Sequence, residues 1–304
     1  MAEGSRRRLS YVAEVTPGTS PVTGWAMLRH TGDGVVTDAK QTLVSNEFRS
    51  DRGMGIIRHG NANPQINVPF ELSFNTYDSL LESAFQGAWT TNILKQGTTK
   101  KYHSFEEGFL DMGTPQYQAI KGALCTGMDL NIAPNAMVTG NFRFSGLEVT
   151  PLSGTPIQAA AHTALTVTPP FDSFTGSITE GGSAIAIVTA LTLNIDNGGE
   201  PLHRLLAKNP DRIVTGRANV SGTISAFFDN ATLANKFFNE TESSLGFVLT
   251  DTQGVAKSYT FAIPKLKYTG ATRDVGENNI VLNMPFQAYF DSVSATTIQI
   301  TRTA

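Results

Sequence analysis

Two stretches of the chain repeat one pattern at a spacing of half its length. VPFELSFNTYDSLLESAF runs from Val68 to Phe85, and VSGTISAFFDNATLANKFF from Val220 to Phe238. Leu72 matches Ile224, Leu81 matches Leu233 and Phe85 matches Phe237, each pair 152 positions apart in a chain of 304. In both stretches an alternating run, as in a half-buried strand, leads into apolar residues at helical spacing. The ends of the halves echo this. NAMVTGNFRF (135–144) and NNIVLNMPFQAYF (278–290) align Val138 with Val281 and, with one inserted residue, Phe142 with Phe286. Such a repeat points to two copies of one unit of about 150 residues, large enough to bury its own core. Chance likeness between strands is the alternative.

Most of the remaining sequence has period two. LSYVAEV (9–15), TALTLNID (189–196), GFVLTD (246–251), YTFAIPKLKYTG (259–270), NNIVLNMPFQAYFD (278–291) and TTIQITR (296–302) read as strands. Turn residues separate them at Asn197-Gly198, 251–254 and 276–279, and a hairpin is expected around Glu180-Gly181-Gly182. Two short helices are expected. Thr76–Phe85 places Tyr77, Leu80, Leu81, Ala84 and Phe85 on one face. Asn230–Phe238 does so with Leu233, Ala234, Phe237 and Phe238, with Asn230 or Asp229 as N-cap. Residues 151–174 are rich in Pro, Ala, Thr and Ser without periodicity, which reads as a linker or extended arm. The expected organisation is a β domain over 1–150, a linker over 151–172 and a second β domain over 173–304.

Composition narrows the class. Charged residues make up 16% against 40% hydrophobic, a low charge fraction. A neutral-polar surface suits a protein packed against copies of itself, and equally an ordinary β-rich domain. The net charge is −3, and Arg6-Arg7-Arg8 is the one basic run, so stable nucleic-acid binding is not expected. No stretch reaches the ~18 apolar residues of a membrane span, and the N-terminus lacks the apolar core of a secretory signal. AIAIVTALTLNI (184–195) reads instead as a buried strand. The single cysteine, Cys125, sits among small and apolar residues and reads as a buried, inert thiol in a reducing compartment.

The residues that carry chemistry are sparse. His30, His59, His103, His162 and His203 lie far apart, so no local metal pair exists and no metal or cofactor is expected. RGMGIIRHG (52–60) has Gly53 and Gly55 but Arg58 where a phosphate loop needs glycine. The acidic pairs Asp33/Asp38 and Glu106/Glu107 read as solvated faces, not a hydrolytic dyad. No catalytic constellation is expected. One segment does stand out: residues 43–68 gather Glu47, Arg49, Asp51, Arg52, Arg58 and His59 in a glycine-containing stretch. It is either a solvated hairpin or an arm that reaches a neighbouring subunit, and these six residues are the candidate contacts between subunits or rings.

The chain resembles the major tail tube proteins of long-tailed bacteriophages, of the double-domain kind. The residues that carry the resemblance are SRRRLSYVAEVTPGTSP (5–21), EFRSDRGMGIIRHGN (47–61), FELSFNTYDSLLESAFQGAW (70–89) and APNAMVTGNFRFSG (133–146) in the first half. In the second half they are PPFDSFTGSITEGGSAIAIVTALTLNIDNGGEP (169–201) and NKFFNETESSLGFVLTD (235–251). The resemblance implies a mainly β fold: two tandem β-sandwich or barrel domains, each with one short flanking α-helix. It also implies stacked rings, three two-domain chains making a pseudo-six-fold ring whose sheets line a channel. The implied partners are other copies of the chain, a tape measure protein inside the lumen, and tail terminator and tail tip proteins. The resemblance further implies that double-stranded DNA passes through without stable binding, that no membrane is involved, and that the virion tail assembles in the bacterial cytoplasm. The alternative is a carbohydrate-binding or adhesin module of a phage fibre, for which Trp25 and Trp89 are the available sugar platforms.

Overall fold

The computed structural model describes residues 6–32, 34–251, 253, 256–275, 277 and 279–303. Asp33 and parts of the turns expected at 251–254 and 276–279 lie outside them. The first half contains β1 (Arg7–Ala13), β2 (Ala26–Met27), β3 (Val36–Asp38), β4 (Thr42–Val44), β5 (Ile57–His59), β6 (Pro64–Glu71), α1 (Asp78–Phe85), β7 (Ile93–Lys95), β8 (Tyr102–Phe109), β9 (Gln116–Ile132), β10 (Thr139–Ser145) and β11 (Glu148–Val149). The second contains β12 (Gly176–Glu180), β13 (Ser183–Ala184), β14 (Val188–Asp196), β15 (Glu200–Leu202), β16 (Arg212–Val214), β17 (Asn219–Phe227), α2 (Thr232–Phe238), β18 (Ser243–Asp251), β19 (Lys257–Tyr268), β20 (Thr272–Val275), β21 (Ile280–Ala288) and β22 (Gln299–Thr303). The fold is mainly β.

Both halves run through the same strand order. Six strands of the first half neighbour one another as β1–β8–β9–β10–β6–β3. Six of the second do so as β12–β18–β19–β21–β17–β14. All these pairs are antiparallel, and in both sets the helix joins the third strand to the fourth. Leu72 N donates to Val138 O at 2.8 Å, and Ile224 lies opposite Met284. Val138 therefore corresponds to Met284, and not to Val281 as direct alignment of the sequence expects. By the same register Phe142 corresponds to Ala288 and not to Phe286.

Alternation builds the core. β6 buries Pro64, Ile66, Val68 and Phe70, and β18 buries Ser243, Leu245, Phe247 and Leu249. Phe70 stacks on Phe142 at 4.4 Å between ring centroids, and Phe247 on Phe261 at 4.6 Å. α1 turns its expected apolar face inward: Tyr77, Leu80, Leu81, Ala84 and Phe85 are all buried. α2 buries Leu233 and Ala234 but leaves Phe238 exposed, because the shorter helix turns its last residue off the sheet. Its N-cap is Ala231, although Asn230 Oδ1 accepts the Thr232 N–H at 2.9 Å. The expected hairpin is present, with Glu180 opposite Ser183 and both Gly181 and Gly182 at positive φ, as a two-residue primed turn requires.

The halves share one sheet. β14 pairs with β9, Leu191 opposite Ile132 through Asp196 opposite Gly127. β22 pairs with β19 on one side and with β7 on the other. Arg302 closes the second joint with an ion pair to Asp78 at the start of α1 and a guanidinium 4.6 Å from the Trp89 ring centroid. Residues 151–172 run over the first half: Met27 N donates to Thr163 O at 2.9 Å, Trp25 N donates to the Gln158 side chain at 3.1 Å, and Phe171 is buried.

Two residues read as solvated are not. Glu106 and Glu107 are each 1% exposed. Arg7 reaches Glu107 at 3.0 Å and Arg8 reaches Glu106 at 3.4 Å, which also explains the basic run. Burial raises both carboxyl pKa values and the paired arginines oppose that rise. Cys125 is fully buried, and burial pushes its thiol up to about 12, too high for a nucleophile.

Candidate assembly interface

Between the second and third strands each half sends a hairpin away from the sheet. In the first half it is β4–β5, with Thr42 opposite His59 and Val44 opposite Ile57, a two-stranded ladder apart from the main sheet. Ser45 N donates to Ile56 O at 3.0 Å and continues it toward the tip. The tip is a local polar turn. Arg49 pairs with Asp51 at 2.7 Å, and Asp51 Oδ1 accepts the Gly53 N–H at 3.0 Å. The Arg49 guanidinium holds the Asp51 carboxyl below its ordinary value. Arg52 sits at φ 60°, a left-handed conformation that closes the turn at some cost for a residue with a side chain.

The six residues singled out in the sequence all lie on this hairpin and all are exposed. Only Arg49 and Asp51 are brought together. Glu47, Arg52, Arg58 and His59 make no ion pair among the described residues, so their side chains face outward unspent. Apolar side chains are exposed beside these charges. Phe48 is 107% exposed, Met54 71% and Ile56 63%, with Leu43 and Ile57 also open. These apolar residues were missed by reading charge alone; their signal was apolar side chains in a loop with no periodic face to bury them. A cluster of this kind makes the hairpin the candidate interaction surface.

The second half sends out β15–β16, Glu200 opposite Val214 through Leu202 opposite Arg212. Its tip exposes Leu205 and Leu206 fully. It is tied down on one side: Lys208 O accepts the Ala62 N–H at 2.8 Å and Ile213 O accepts from Lys100 Nζ at 3.1 Å. The two hairpins therefore occupy equivalent places in the two halves.

The family model described as phage tail tube protein matches residues 4–288. The chain belongs to the phage tail tube protein family. No curated protein matches it. Membership makes the chain a structural component of the virion tail, where tube subunits associate with one another. The rest of the molecule offers little chemistry. Among the described residues no group of His, Cys, Asp and Glu is placed to hold a metal ion, and no helix is long and apolar enough to cross a membrane. Of the two tryptophans that could have stacked on a sugar, Trp25 is fully buried with its indole N–H given to Pro21 O at 2.8 Å. Trp89 lies between Tyr259 and Arg302.

Proposed function

We propose that this chain is the subunit of a siphovirus-type tail tube, and that three copies close a ring with pseudo-six-fold symmetry. The observation that carries this reading is the strand order shared by the two halves. It gives each chain two equivalent wedges, so three chains supply six. Rings then stack through the two sets of arms, and because stacking uses unlike surfaces the contact does not close and a tube grows. A tape measure protein occupies the lumen during assembly, and terminator and tip proteins cover the two ends. The tube conducts double-stranded DNA from capsid to host cell without holding it, since a chain of net charge −3 neutralises few phosphates. The work is passive: the protein supplies a wall and no catalysis. Domain boundaries at 1–150 and 173–304, joined by 151–172, follow from the same repeat and derive from duplication of one unit.

Negative-stain electron microscopy of the purified chain, raised through increasing concentration, tests this. Stacked rings with an open channel are expected. Discrete particles that stay single even with an initiating tail tip complex, and that bind glycans, would establish the fibre-module alternative instead.

A further inference from the structure

The last strand of each half takes the same place and is used differently. In the first half only residues 146–147 separate β11 from β10, and β11 pairs with β9 at Ile120 and Lys121, beside the stretch that pairs with β10. In the second half β22 takes the matching place on β19, from Ser258 to Ala262, beside the stretch that pairs with β21. Here residues 289–298 intervene, so the chain leaves the sheet before it returns.

That detour carries β22 across to the first half. Gln299 through Thr301 lie opposite Lys95 through Ile93 on β7. Arg302 N donates to Asn92 O at 2.9 Å, Gln96 N to Ile298 O at 3.1 Å, and Lys95 Nζ to Ser294 O at 2.7 Å. Ile298 and Ile300 are fully buried. The whole segment lies past residue 288, the last residue that the family model matches.

The strand ends on α1. Arg302 pairs with the carboxylate of Asp78, the first residue of the helix, and Tyr259 of β19 donates to the same carboxylate at 2.5 Å. At the other end of α1, Asn197 Nδ2 donates to Ala84 O at 2.9 Å, one of the carbonyls that a helix end leaves without an internal partner. Asn197 directly follows β14, the strand of the other joint. The second half therefore grips one helix of the first at both ends, about 12 Å apart for eight residues. Two bodies joined along a single ladder can hinge about it, and a second grip away from that line removes the freedom.

We propose that residues 289–303 form a strap that fixes the angle between the two halves, with Arg302 as the clasp that holds it to α1. Arg302 is a positioning residue: it acts through Asp78 and the Trp89 ring on where the second half sits. On the tail tube reading, on which this consequence alone rests, that angle is the one at which successive lobes follow around the ring. The strap then sets the curvature before any copies meet.

Distances between spin labels on the two halves of the full chain, in dilute unassembled solution, test it. Cysteines replace the exposed Glu148 and Thr272, while Cys125 is fully buried and stays unlabelled. The native strap gives one narrow distance distribution. Arg302→Gln removes the charge and Arg302→Glu reverses it beside Asp78; the distribution broadens in that order. Circular dichroism stays that of the native chain, since the Arg302 side chain is 26% exposed and leaves no buried void. A chain ended at Ala288 is the extreme case and gives the broadest distribution; should it not fold, the two Arg302 variants decide. A distribution as narrow in both folded variants as in the native chain overturns the strap and leaves the tube reading standing. Native chains that never form rings overturn the tube reading and leave the strap in place.

Discussion

The two arms occupy the same place in the two halves and are treated differently. β15–β16 is bonded at Ala62 and Lys100 to the first half of its own chain, whereas β4–β5 stands clear with Phe48, Met54 and Ile56 in solvent. The sheets differ in the same sense. Among the described residues β14 is paired on both edges and β3 on one; β9 is covered beyond β8, while the end of β19 and β20 pair on one side. What one half pairs within the chain, the other leaves unpaired among the described residues. Two halves with one strand order thus differ in how much of their strand edges the chain itself covers.

The largest test of this difference is on the free arm. Replacing Arg52 and Arg58 together by Glu abolishes polymerisation in electron micrographs while the fold changes by under about 0.5 kcal/mol, since both side chains are exposed. Tubes of normal length from that variant would remove the arm from the interface. The internal joint gives the converse result. Ile195 on β14 is fully buried at the ladder with β9, and Ile195→Ala costs about 2–5 kcal/mol in urea unfolding. The transition stays single if the halves share one core; two separated transitions would make them independent beads. Phe48→Ser follows these in size of effect. It leaves the monomer untouched and weakens assembly by about 1.5–3 kcal/mol, read as a raised critical concentration in sedimentation.

The smallest effect is one of pH and belongs to the first half. His103 is fully buried, its Nε2 3.0 Å from Ser79 Oγ, and burial lowers its pKa from 6.5 to about 3. The unfolded chain takes up a proton near 6.5 that the folded chain refuses until about 3, so His103 costs stability as pH falls through that window. The slope is at most about 1.4 kcal/mol per pH unit. A His103→Phe variant flattens that part of the profile between pH 7.5 and 5 by thermal unfolding; an unchanged slope would assign the acid sensitivity elsewhere.

Strands with one buried face were legible. β14, β18, β19 and β21 alternate because one side meets the core and the other does not. β9, which joins the halves, was not. Gly122 through Cys125 are consecutive buried residues, so the strand that carries the joint has no period to read. The burial of Glu106 and Glu107 depends on β1 lying beside β8, a pairing nearly 100 residues apart in sequence. The repeat itself was partly hidden by an exchange. In the first half Phe70 on the third strand covers Gly140 on the sixth; in the second, Phe286 on the sixth covers Gly222 on the third. A Cβ on Gly140 would lie 2.5 Å from the Phe70 ring, and one on Gly222 2.7 Å from that of Phe286. The same space is filled from opposite sides, so matching the chain to itself position by position misses the pair. The arm was found through its charges, although Phe48, Met54 and Ile56 on it are exposed as well.

The central claim is that the two halves are equivalent wedges of one ring. Cryo-electron microscopy of the assembled tube measures it directly, through the number of chains per ring. The account predicts three chains, with six like lobes around the channel alternating between first and second halves. Six chains per ring, or lobes with no alternation, would contradict it.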